Sequence, residues 1–550
     1  KRVSRFQQNY NAGVNWEPVK GLKFRSEFGY GWKYNNTDQV WGVEATNNSK
    51  YGNPGMPQAL LTKLINKNWR NANTVTYNND KMFNLNHRMN VMLGHEVSSS
   101  YDHKTTMTSV GFPKNMSIKE VLANMGQGQA LPTDTYIGIK DNLLSFFGRI
   151  NYTINDKYLM TFTMRADGSS KFASGNQWGY FPSLALAWRI SDEAFMRNSQ
   201  EWLSNLKLRL SIGTAGNNRI PSGSLETTYS LAGSGDKHIY FNNTSSVVLQ
   251  RGKNLSNPNL KWEETTTWNA GFDFGFLDNR ITSSLDYYYR ETKDLINVID
   301  VPAGTNFKNR IVSNIGSLRN QGVEFSINAK AISTPDWKWD LGFNVAWNNN
   351  EITKLTAQDD ASSIVLTGTV EGGTGTMIQA QGVNHPANSF YVYEQVYDQQ
   401  GNPIEGLYVD RNGDGVINDE DRYFCHKPAA DVTMGFTSKL VWKAWDFSFS
   451  LRSNLGNYVY NNVASSNAAL SEGSINNKGY LSNRPLSAFD TNFQNMNVLS
   501  DYYVQNASFL RCDNITLGYS FNKLFGVLGG RIYGTVQNPF VITKLSLIHI

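Results

Sequence analysis

Three segments of the chain alternate between apolar and polar side chains, and aromatic residues dominate the apolar face. In 22–34, one face carries Leu22, Phe24, Ser26, Phe28, Tyr30, Trp32 and Tyr34, and the other carries Lys23, Arg25, Glu27, Gly29, Gly31 and Lys33. The segments 268–276 and 337–347 repeat this pattern. A period of two residues predicts β-strands with two unlike faces. The pattern therefore favours a sheet that lies between two different environments.

The length of these segments and the positions of their aromatic residues narrow the prediction. Each segment has about 9–13 residues, which is enough to cross a bilayer at a tilt, and aromatic residues stand at both ends. An outer-membrane β-barrel has this pattern, with an apolar face toward lipid and a polar face toward the lumen. A β-propeller would repeat every 40–50 residues, and no such repeat occurs. A soluble β-sandwich remains the alternative that the pattern alone leaves open.

Composition agrees with a barrel. The mean hydropathy is −0.45, and no apolar run approaches the roughly 18 residues of a membrane-spanning helix. A barrel exposes only every second strand residue to lipid, so its average composition stays polar. Aromatic residues make up 13% of the chain and charged residues 18%, against about 25% charged residues in ordinary soluble domains. The net charge is only +5 and no basic run occurs, so no nucleic-acid partner is expected.

Short and long connections between the predicted strands alternate along the chain. Short turns are predicted at Pro18–Gly21, Ser98–Ser100, Asn155–Lys157, 191–205 (with room for a helical turn), Leu277–Asn279, 331–336, Lys443–Ala444 and 522–530. Long polar loops are predicted at 35–81, 110–142, 166–180, 214–267, 291–321, 348–433 and 453–508. These turns imply about 16 antiparallel strands, with short periplasmic turns and long extracellular loops.

A series of motifs follows in a fixed order. It comprises Met164–Phe172, Gly179–Ser183, Ala187–Glu193, Leu206–Arg209, Gly213–Asn218, Asn314–Gly316, Asn320–Glu324, Ser508–Arg511, Asn514–Tyr519, Tyr533 and Gln537–Asn538. From the residues alone, Asp167–Ser169 indicates a turn and Gly179–Pro182 an aromatic collar, so both are predicted to be structural. Together, the motifs closely resemble the SusC/RagA family of TonB-linked (TonB-dependent) outer-membrane transporters, from about Leu144 to Asn538.

The resemblance implies a barrel of about 22 strands around an N-terminal plug. On that pattern, 1–544 would be a partial barrel holding about 16 of the strands, without the plug or the segment that contacts TonB. The stretch Lys1–Phe6 has no apolar signal-peptide core, so the chain is expected to be a fragment. The last residues, 545–550, match no strand or turn pattern and are expected to be a non-native tail.

The resemblance also implies a function and partners. It implies active import of glycan or peptide oligomers across the outer membrane of a Bacteroidota-type bacterium, energised through TonB, with a SusD-like surface lipoprotein as a lid. Loop aromatic residues could stack on sugars, although membrane-interface anchoring and loop packing are the predicted roles; they are Tyr229, Tyr240, Phe241, Phe390, Tyr391 and Tyr393. The alternatives are a cell-surface glycan-binding protein and a glycan-active enzyme with a β-rich fold.

One segment, 410–421, fits the template of a calcium-binding loop. Oxygen ligands would come from the side chains of Asp410, Asn412, Asp414 and Asp421 and from the carbonyl group of Val416. The template has Glu at its last position, where this chain has the shorter Asp421. We predict a structural Ca²⁺ site and no organic cofactor. The alternative is an acidic turn whose side chains bind its own backbone amides.

No catalytic constellation is found in the sequence, and an enzyme is not predicted. The seven histidines never stand at metal-ligand spacing such as HExxH. The carboxylate pairs Glu263–Glu264 and Asp359–Asp360 are adjacent in sequence, so on a strand their members would face opposite ways. Cys425 and Cys512 are compatible either with one disulfide in an oxidising compartment or with two free thiols.

Overall fold

The computed structural model describes residues 1–45, 55–79, 86–220, 224–225, 229–231, 238–241, 244–247, 249–251, 256–300, 310–355, 362–370, 376–471, 484–495, 499–524 and 528–545. The chain divides into two compact units. Unit 1 contains 1–184, 213–264 and 294–314, and unit 2 contains 185–212, 265–293 and 315–550.

Strands account for most of the structure. The first half of the chain contains β1 (Arg2–Val19), β2 (Leu22–Trp41), β3 (Gln58–Asn79), β4 (His87–Val110), β5 (Gln129–Ala130), β6 (Asp134–Ile137), β7 (Asp141–Ile154), β8 (Tyr158–Ser169), β9 (Trp178–Arg189), β10 (Leu203–Asn217), β11 (Tyr229–Leu231), β12 (His238–Phe241), β13 (Thr244–Val247), β14 (Leu249–Arg251) and β15 (Glu263–Phe276). The second half contains β16 (Ile281–Lys293), β17 (Ile296–Asp300), β18 (Arg310–Asn314), β19 (Ser317–Ser333), β20 (Trp337–Lys354), β21 (Ile364–Thr369), β22 (Met377–Gly382), β23 (Ser389–Val392), β24 (Gln395–Tyr397), β25 (Pro403–Tyr408), β26 (Tyr423–Phe424), β27 (Val432–Trp442), β28 (Trp445–Leu455), β29 (Tyr458–Tyr460), β30 (Val504–Asn506), β31 (Phe509–Leu524) and β32 (Leu528–Thr543).

Helices are short and lie in connections between strands. They are α1 (Ile118–Ala123), α2 (Asn462–Asn467) and α3 (Ser487–Thr491), with 3₁₀ turns at Met125–Gln127, Ile190–Asp192, Ala194–Ser199, Asp419–Asp421 and Asp501–Tyr503. The start of α1 has a capping box, in which Ser117 and Glu120 bind each other's backbone amides. This exchange satisfies two donors that the first helical turn leaves free.

Each unit is built from antiparallel neighbours in sequence. In unit 1, β1 pairs with β2, β2 with β3 and β3 with β4, and β4 then pairs with β7 and β7 with β8. In unit 2, the order is β16, β19, β20, β27, β28, β31 and β32, and each strand pairs with the next. A ladder of this kind satisfies the backbone hydrogen bonds of every interior strand.

Among the described residues, 18 strands belong to one antiparallel sheet. Two of them, β5 and β6, are short strands that pair with the end of β4. The remaining long strands number sixteen, the number that the turn pattern predicts. The predicted division into an aromatic face and a polar face is also observed, since Ile327, Phe343 and Phe436 are in register on one face.

Two of the predicted connections are wrong. The predicted turn at Ser98–Ser100 lies inside β4, where these residues pair with β3 and β7. The predicted loop 35–81 contains the end of β2 and all of β3. The error has a physical cause: Asn66, Lys67 and Asn68 put polar side chains on both faces of β3, so the alternation that signals a strand is lost. The backbone ladder forms there nonetheless.

The other predicted connections agree with the strand boundaries. The segment 191–205 holds the predicted helical turn, in 3₁₀ form, at Ala194–Ser199. The turn within 522–530 is bounded by Leu524 and Leu528, and 525–527 lie outside the described residues. The predicted tail is described only at Leu545, since 546–550 also lie outside. Both Cys425 and Cys512 are free thiols, which decides between the two alternatives left open by the sequence.

The motifs of unit 1 pack together as structural elements. Phe181 packs against Trp262, with ring centroids 5.4 Å apart, and Phe172 packs against the same indole at 5.3 Å. A Cβ atom at Gly216 would lie 2.1 Å from the Phe181 ring, so only glycine fits there. Arg165 Nε donates to Asp167 Oδ2 at 2.8 Å, which is within hydrogen-bond range. These contacts agree with the structural roles predicted for the motifs.

Candidate functional site

The segment 410–421 follows β25 and forms a compact acidic turn. Asp410 accepts two backbone hydrogen bonds, from the amides of Gly413 and Gly415, both at 2.7 Å. Asn412 and Asp414 each accept one from the amide two residues further on, at 3.0 and 2.8 Å. Gly413 and Gly415 adopt positive φ angles of 74° and 82°, which glycine tolerates best. The three ligand side chains are therefore gathered around one short stretch of backbone.

Asp421 closes this turn from the inside. Its side chain is fully buried, and it accepts hydrogen bonds from the amides of Asn418 at 2.8 Å and Arg411 at 2.9 Å. These bonds, with that from Asn418 as the largest cause, lower the pKa of the Asp421 carboxyl. A carboxylate held by several amides favours its ionised form. Asp421 thus anchors both ends of the turn.

The structure brings the five predicted calcium ligands into one loop. The side-chain oxygens of Asp410, Asn412, Asp414 and Asp421 bind backbone amides. Within the described ranges, no group of three or more His, Cys, Asp or Glu side chains is arranged to hold a metal ion. Such amide bonds are what the alternative interpretation, an acidic turn, expects. Each carboxylate retains further acceptor capacity, because an ionised carboxylate has about four lone-pair sites. Calcium binding stays a prediction.

The acidic turn is attached to a larger body of loops, here called the loop assembly, which comprises the described parts of 376–431 and 456–508. Arg411 forms an ion pair with Glu394 and stands over the ring of Tyr423, 4.4 Å from its centroid. Tyr393 donates its hydroxyl hydrogen to Asp419 at 3.2 Å. The turn therefore contacts the segments on both sides of it.

A buried polar network joins the two segments of the loop assembly. Asp501 accepts hydrogen bonds from the Tyr423 hydroxyl at 2.7 Å and from the backbone amide of Gln395 at 3.0 Å. Ser500 Oγ donates to Gln395 Oε1 at 2.7 Å. Burial is the main cause that raises the pKa of Tyr423, and the Asp501 carboxylate adds to it. The phenol therefore remains protonated and serves as the donor.

A hydrophobic core supports this network. It contains Ile378, Phe390, Val392, Tyr460, Ala464 and Tyr503. Of the aromatic residues predicted to pack in loops, Phe390 is buried in this core, Tyr391 packs against Phe424, and Tyr393 stacks on Tyr408 at 4.8 Å. Loop packing is thus confirmed for these three. The side chains of Tyr229, Tyr240 and Phe241 lie outside the described residues.

Sequence reasoning missed three residues of this network, namely Gln395, Ser500 and Asp501, and also Glu394, which pairs with Arg411. The partners that join the two segments lie 78 to 106 positions apart along the chain, so no local pattern could identify them. The local signal in the sequence is a cluster of Tyr and Asp side chains at 501–503.

The polar faces of the described strands carry ion pairs. In unit 2, Arg209 donates to Asp273 at 3.0 Å and to Asp286 at 2.9 Å. Glu263 accepts from the amide of Ile296, which is a structural use of this carboxylate. Asp359–Asp360 and His549 lie outside the described residues.

Comparison with known proteins assigns the family. No helix in the described ranges is long and apolar enough to cross a membrane. The family model for the β-barrel of TonB-dependent receptor-like proteins matches residues 2–538. The chain therefore belongs to the TonB-dependent receptors.

Individual relatives agree. TonB-dependent receptor SusC of Bacteroides thetaiotaomicron is 48% identical over 428 residues, covering 75% of this chain and 42% of the relative. TonB-dependent receptor P26 of Formosa agariphila is 30% identical over 472 residues, covering 83% of this chain and 46% of that relative. The chain thus spans less than half the length of these curated relatives. The SusC/RagA resemblance found in the motifs is confirmed.

A solved structure supports the fold. The RagAB peptide transporter superposes with a TM-score of 0.78 at 22% identity, over 99% of this chain and 59% of that chain. The described strands therefore form the antiparallel barrel wall of an outer-membrane protein. In such walls the aromatic face contacts lipid and the polar face lines the lumen. The long loops, including the loop assembly, are the extracellular side, and the short turns are the periplasmic side.

Proposed function

We propose that the protein to which this chain belongs imports an oligomeric nutrient, an oligosaccharide or a peptide, across the outer membrane. The observation that carries the proposal is the 48% identity with TonB-dependent receptor SusC. Energy must come from the inner membrane through TonB, because the outer membrane has no ATP supply of its own. A SusD-like lipoprotein would cover the extracellular side, where the loop assembly offers a packed surface.

The ion-paired lumen wall is consistent with a path for polar substrates. Side chains such as Arg209, Asp273 and Asp286 already satisfy one another, so a passing substrate meets few unpaired charges there. Such a wall binds weakly and at many points, as transport requires. The aromatic residues described in the loop assembly pack against one another, so substrate recognition is assigned to no particular residue of this chain.

Uptake in the native bacterium tests this function. The gene is deleted, and uptake of fluorescently labelled oligosaccharides and peptides of matched length is compared with that of the parent strain. We expect loss of uptake of one class, equal loss when TonB is removed or an uncoupler is added, and co-purification of a lipoprotein with the tagged receptor. Surface binding that persists without the proton-motive force, and no uptake defect on deletion, would instead favour a glycan-binding protein.

We also propose that the acidic turn binds Ca²⁺ as a structural ion, through Asp410, Asn412, Asp414, Asp421 and the carbonyl group of Val416. Without a cation, the carboxylates of one short turn repel each other. The test is limited proteolysis of the intact protein with calcium or with chelator, for the wild type and for Asp414→Ala. We expect calcium to protect 405–425 in the wild type only. Identical cleavage in all four conditions would assign the segment to an ordinary acidic turn.

A further inference from the structure

A polar row interrupts the lipid-facing side of unit 1. Ser26 pairs with Asn73 across β2 and β3, and Asn73 pairs with His95 across β3 and β4. These three side chains share the face that carries Phe24 and Phe28, while the alternate residues of β2 face the lumen. On the lipid-facing side of unit 2, the row through Ile327, Phe343 and Phe436 is mainly apolar, and Ser283 is its polar member. Polar side chains facing hydrocarbon are costly and mark a function.

Hydrogen bonds hold the row in place but leave donors unused. Asn73 Nδ2 donates to Asn71 Oδ1 at 2.7 Å and lies 3.3 Å from His95 Nε2. When Asn73 donates to Nε2, the neutral imidazole carries its proton on Nδ1. Within the part of the chain that the structure describes, neither His95 Nδ1 nor the Ser26 hydroxyl has a hydrogen-bond partner. Two donors therefore remain for an external acceptor.

The row forms the floor of a cleft of about 540 Å³. Its walls are apolar and come from Val14, Trp16, Phe24, Val75, Leu93 and Phe146. Trp16 and Leu93 are 62% and 63% exposed, so the cleft is open to the bilayer. Arg25 also lines the cleft. Its guanidinium group pairs with Glu27, whose side chain faces the lumen, so the charge of Arg25 is directed away from the cleft. The chemistry of the cleft therefore fits a neutral acceptor joined to a hydrocarbon chain.

The position of the cleft across the membrane indicates which lipid group accepts these hydrogen bonds. Trp16 and Phe24 pack with ring centroids 5.5 Å apart, close to the periplasmic turn between β1 and β2. Aromatic pairs of this kind lie at the level of the lipid headgroups. Ser26 is two residues further along the strand than Phe24, or about 7 Å at 3.3 Å per residue and less when the strand is tilted. The ester carbonyls of a phospholipid lie just inside the headgroup level.

We propose that this cleft binds a glycerophospholipid of the periplasmic leaflet, with its ester carbonyl groups accepting hydrogen bonds from Ser26 and His95 and an acyl chain lying between Trp16 and Leu93. A protein neighbour is the less favoured occupant, because the floor offers only two donors and the apolar walls face the bilayer. The proposal is independent of the imported substrate.

The test uses the intact protein in detergent micelles with ester-linked phosphatidylethanolamine or its ether-linked analogue, which lacks the carbonyl groups. Lipid retention is counted by native mass spectrometry for the wild type, for Ser26→Leu with His95→Leu, and for the control Ser283→Leu. Ser283 pairs with Ile327 and is therefore a polar residue on the lipid-facing side of unit 2. Leucine is suited to a lipid-facing position, so the variants should fold. Folding is verified by heat-modifiable electrophoretic mobility.

We expect the wild type and Ser283→Leu to retain the ester lipid about tenfold better than the ether lipid, the factor that corresponds to 1.4 kcal/mol. The double variant should retain both lipids equally. Equal retention of the two lipids by the wild type would overturn the proposal. Loss of an oligomer in the double variant, with unchanged lipid retention, would overturn it as well and assign the row to a protein contact.

Discussion

The strand wall and the loop assembly of unit 2 are stabilised in different ways. In the wall, each strand bonds to its neighbour through a regular ladder, as in β20 and β27, and side chains alternate between lipid and lumen. In the loop assembly, side chains make the decisive contacts, such as Tyr423 with Asp501, between segments 78 positions apart. The effect of a substitution in the wall should therefore depend on whether the side chain faces lipid or lumen. In the loop assembly, it should depend on the loss of one particular contact. The following substitutions test this difference.

The largest effect is expected for a charge on the lipid-facing side. Phe274 stands between Phe272 and Phe276, with centroids 6.0 and 6.2 Å away. Near the bilayer midplane, Phe274→Arg should lower the free energy of unfolding by about 2–4 kcal/mol. Phe343→Arg should have an effect of similar size. The measurement is urea unfolding of the intact protein in lipid vesicles.

The matched control is Gly342→Ser on the lumen-facing side. An added Cβ would meet Thr437 Oγ1 at 2.7 Å and Asn328 Oδ1 at 3.0 Å, and both atoms lie at the ends of side chains that can move. The change should stay within about 0.5 kcal/mol, and polar replacements of Asn344 should also be tolerated. Equal costs for both faces would contradict the assignment of lipid and lumen.

A smaller effect is expected for the lumen-facing charge cluster. Arg209→Leu removes the guanidinium that binds Asp273 and Asp286, whose side chains are only 29% and 16% exposed. Two neighbouring carboxylates would then lack their main partner, at a cost of about 2 kcal/mol. Lys293→Ala removes an exposed pair with Glu291 and should cost less than about 1 kcal/mol. Comparable losses in the unfolding free energy would show that the cluster has no special role.

In the loop assembly, Tyr423→Phe removes one hydrogen bond to Asp501. The expected cost is about 1 kcal/mol, confined to the loops, because the strand ladders close independently. Limited proteolysis should show faster cleavage of the loops, while the thermal unfolding of the wall stays unchanged. The control is Tyr397→Phe, since Tyr397 is 45% exposed and its hydroxyl makes no hydrogen bond within the described part of the chain. A shift in wall unfolding for Tyr423→Phe would refute the proposed independence.

The smallest effect is a pH dependence of the same loops. His385 stacks on Phe424 and His426 on Tyr458, with centroids 3.9 and 3.7 Å apart. Burial lowers the pKa of both histidines, although Asp501 partly opposes this for His426. The folded loops therefore favour the neutral rings, and this stabilisation is present above the unfolded pKa of about 6.5 and is lost as the pH falls through the folded values.

Protection of the loops against an acid-tolerant protease should accordingly decrease below about pH 6.5. The double variant His385→Phe with His426→Phe keeps aromatic rings at both positions and should show no such decrease. If the double variant lost protection as the wild type does, other groups would have to carry the pH dependence.

Much of the wall could be predicted from the sequence because its signal is local. In 337–347, every second residue is apolar, and this period alone separates lipid from lumen. This pattern did not identify the strand at 58–79, because β3 carries polar side chains on both faces and does not alternate. Its backbone still pairs with β2 and β4. Backbone hydrogen bonds do not depend on side-chain identity, so a strand can exist without its pattern.

The loop segment 410–421 could be predicted as a compact acidic turn because its Asx and glycine positions act on their own backbone within a few residues. Its attachment to Glu394 and Tyr423 could not, and neither could the meeting of Gln395 with Ser500 and Asp501. Gln395 lies about a hundred positions from Ser500 and Asp501, and such distant partners leave no period in the chain.

The sequence by itself determined the class of fold, the faces of most strands and the family, since each of these follows from short-range alternation or from ordered motifs. Only the tertiary structure decided that Cys425 and Cys512 are free, and that Phe390 belongs to a buried loop core. Only the register of three neighbouring strands put Ser26, Asn73 and His95 side by side. The physical reason is that alternation fixes which face a side chain occupies, whereas pairing across strands fixes its neighbours.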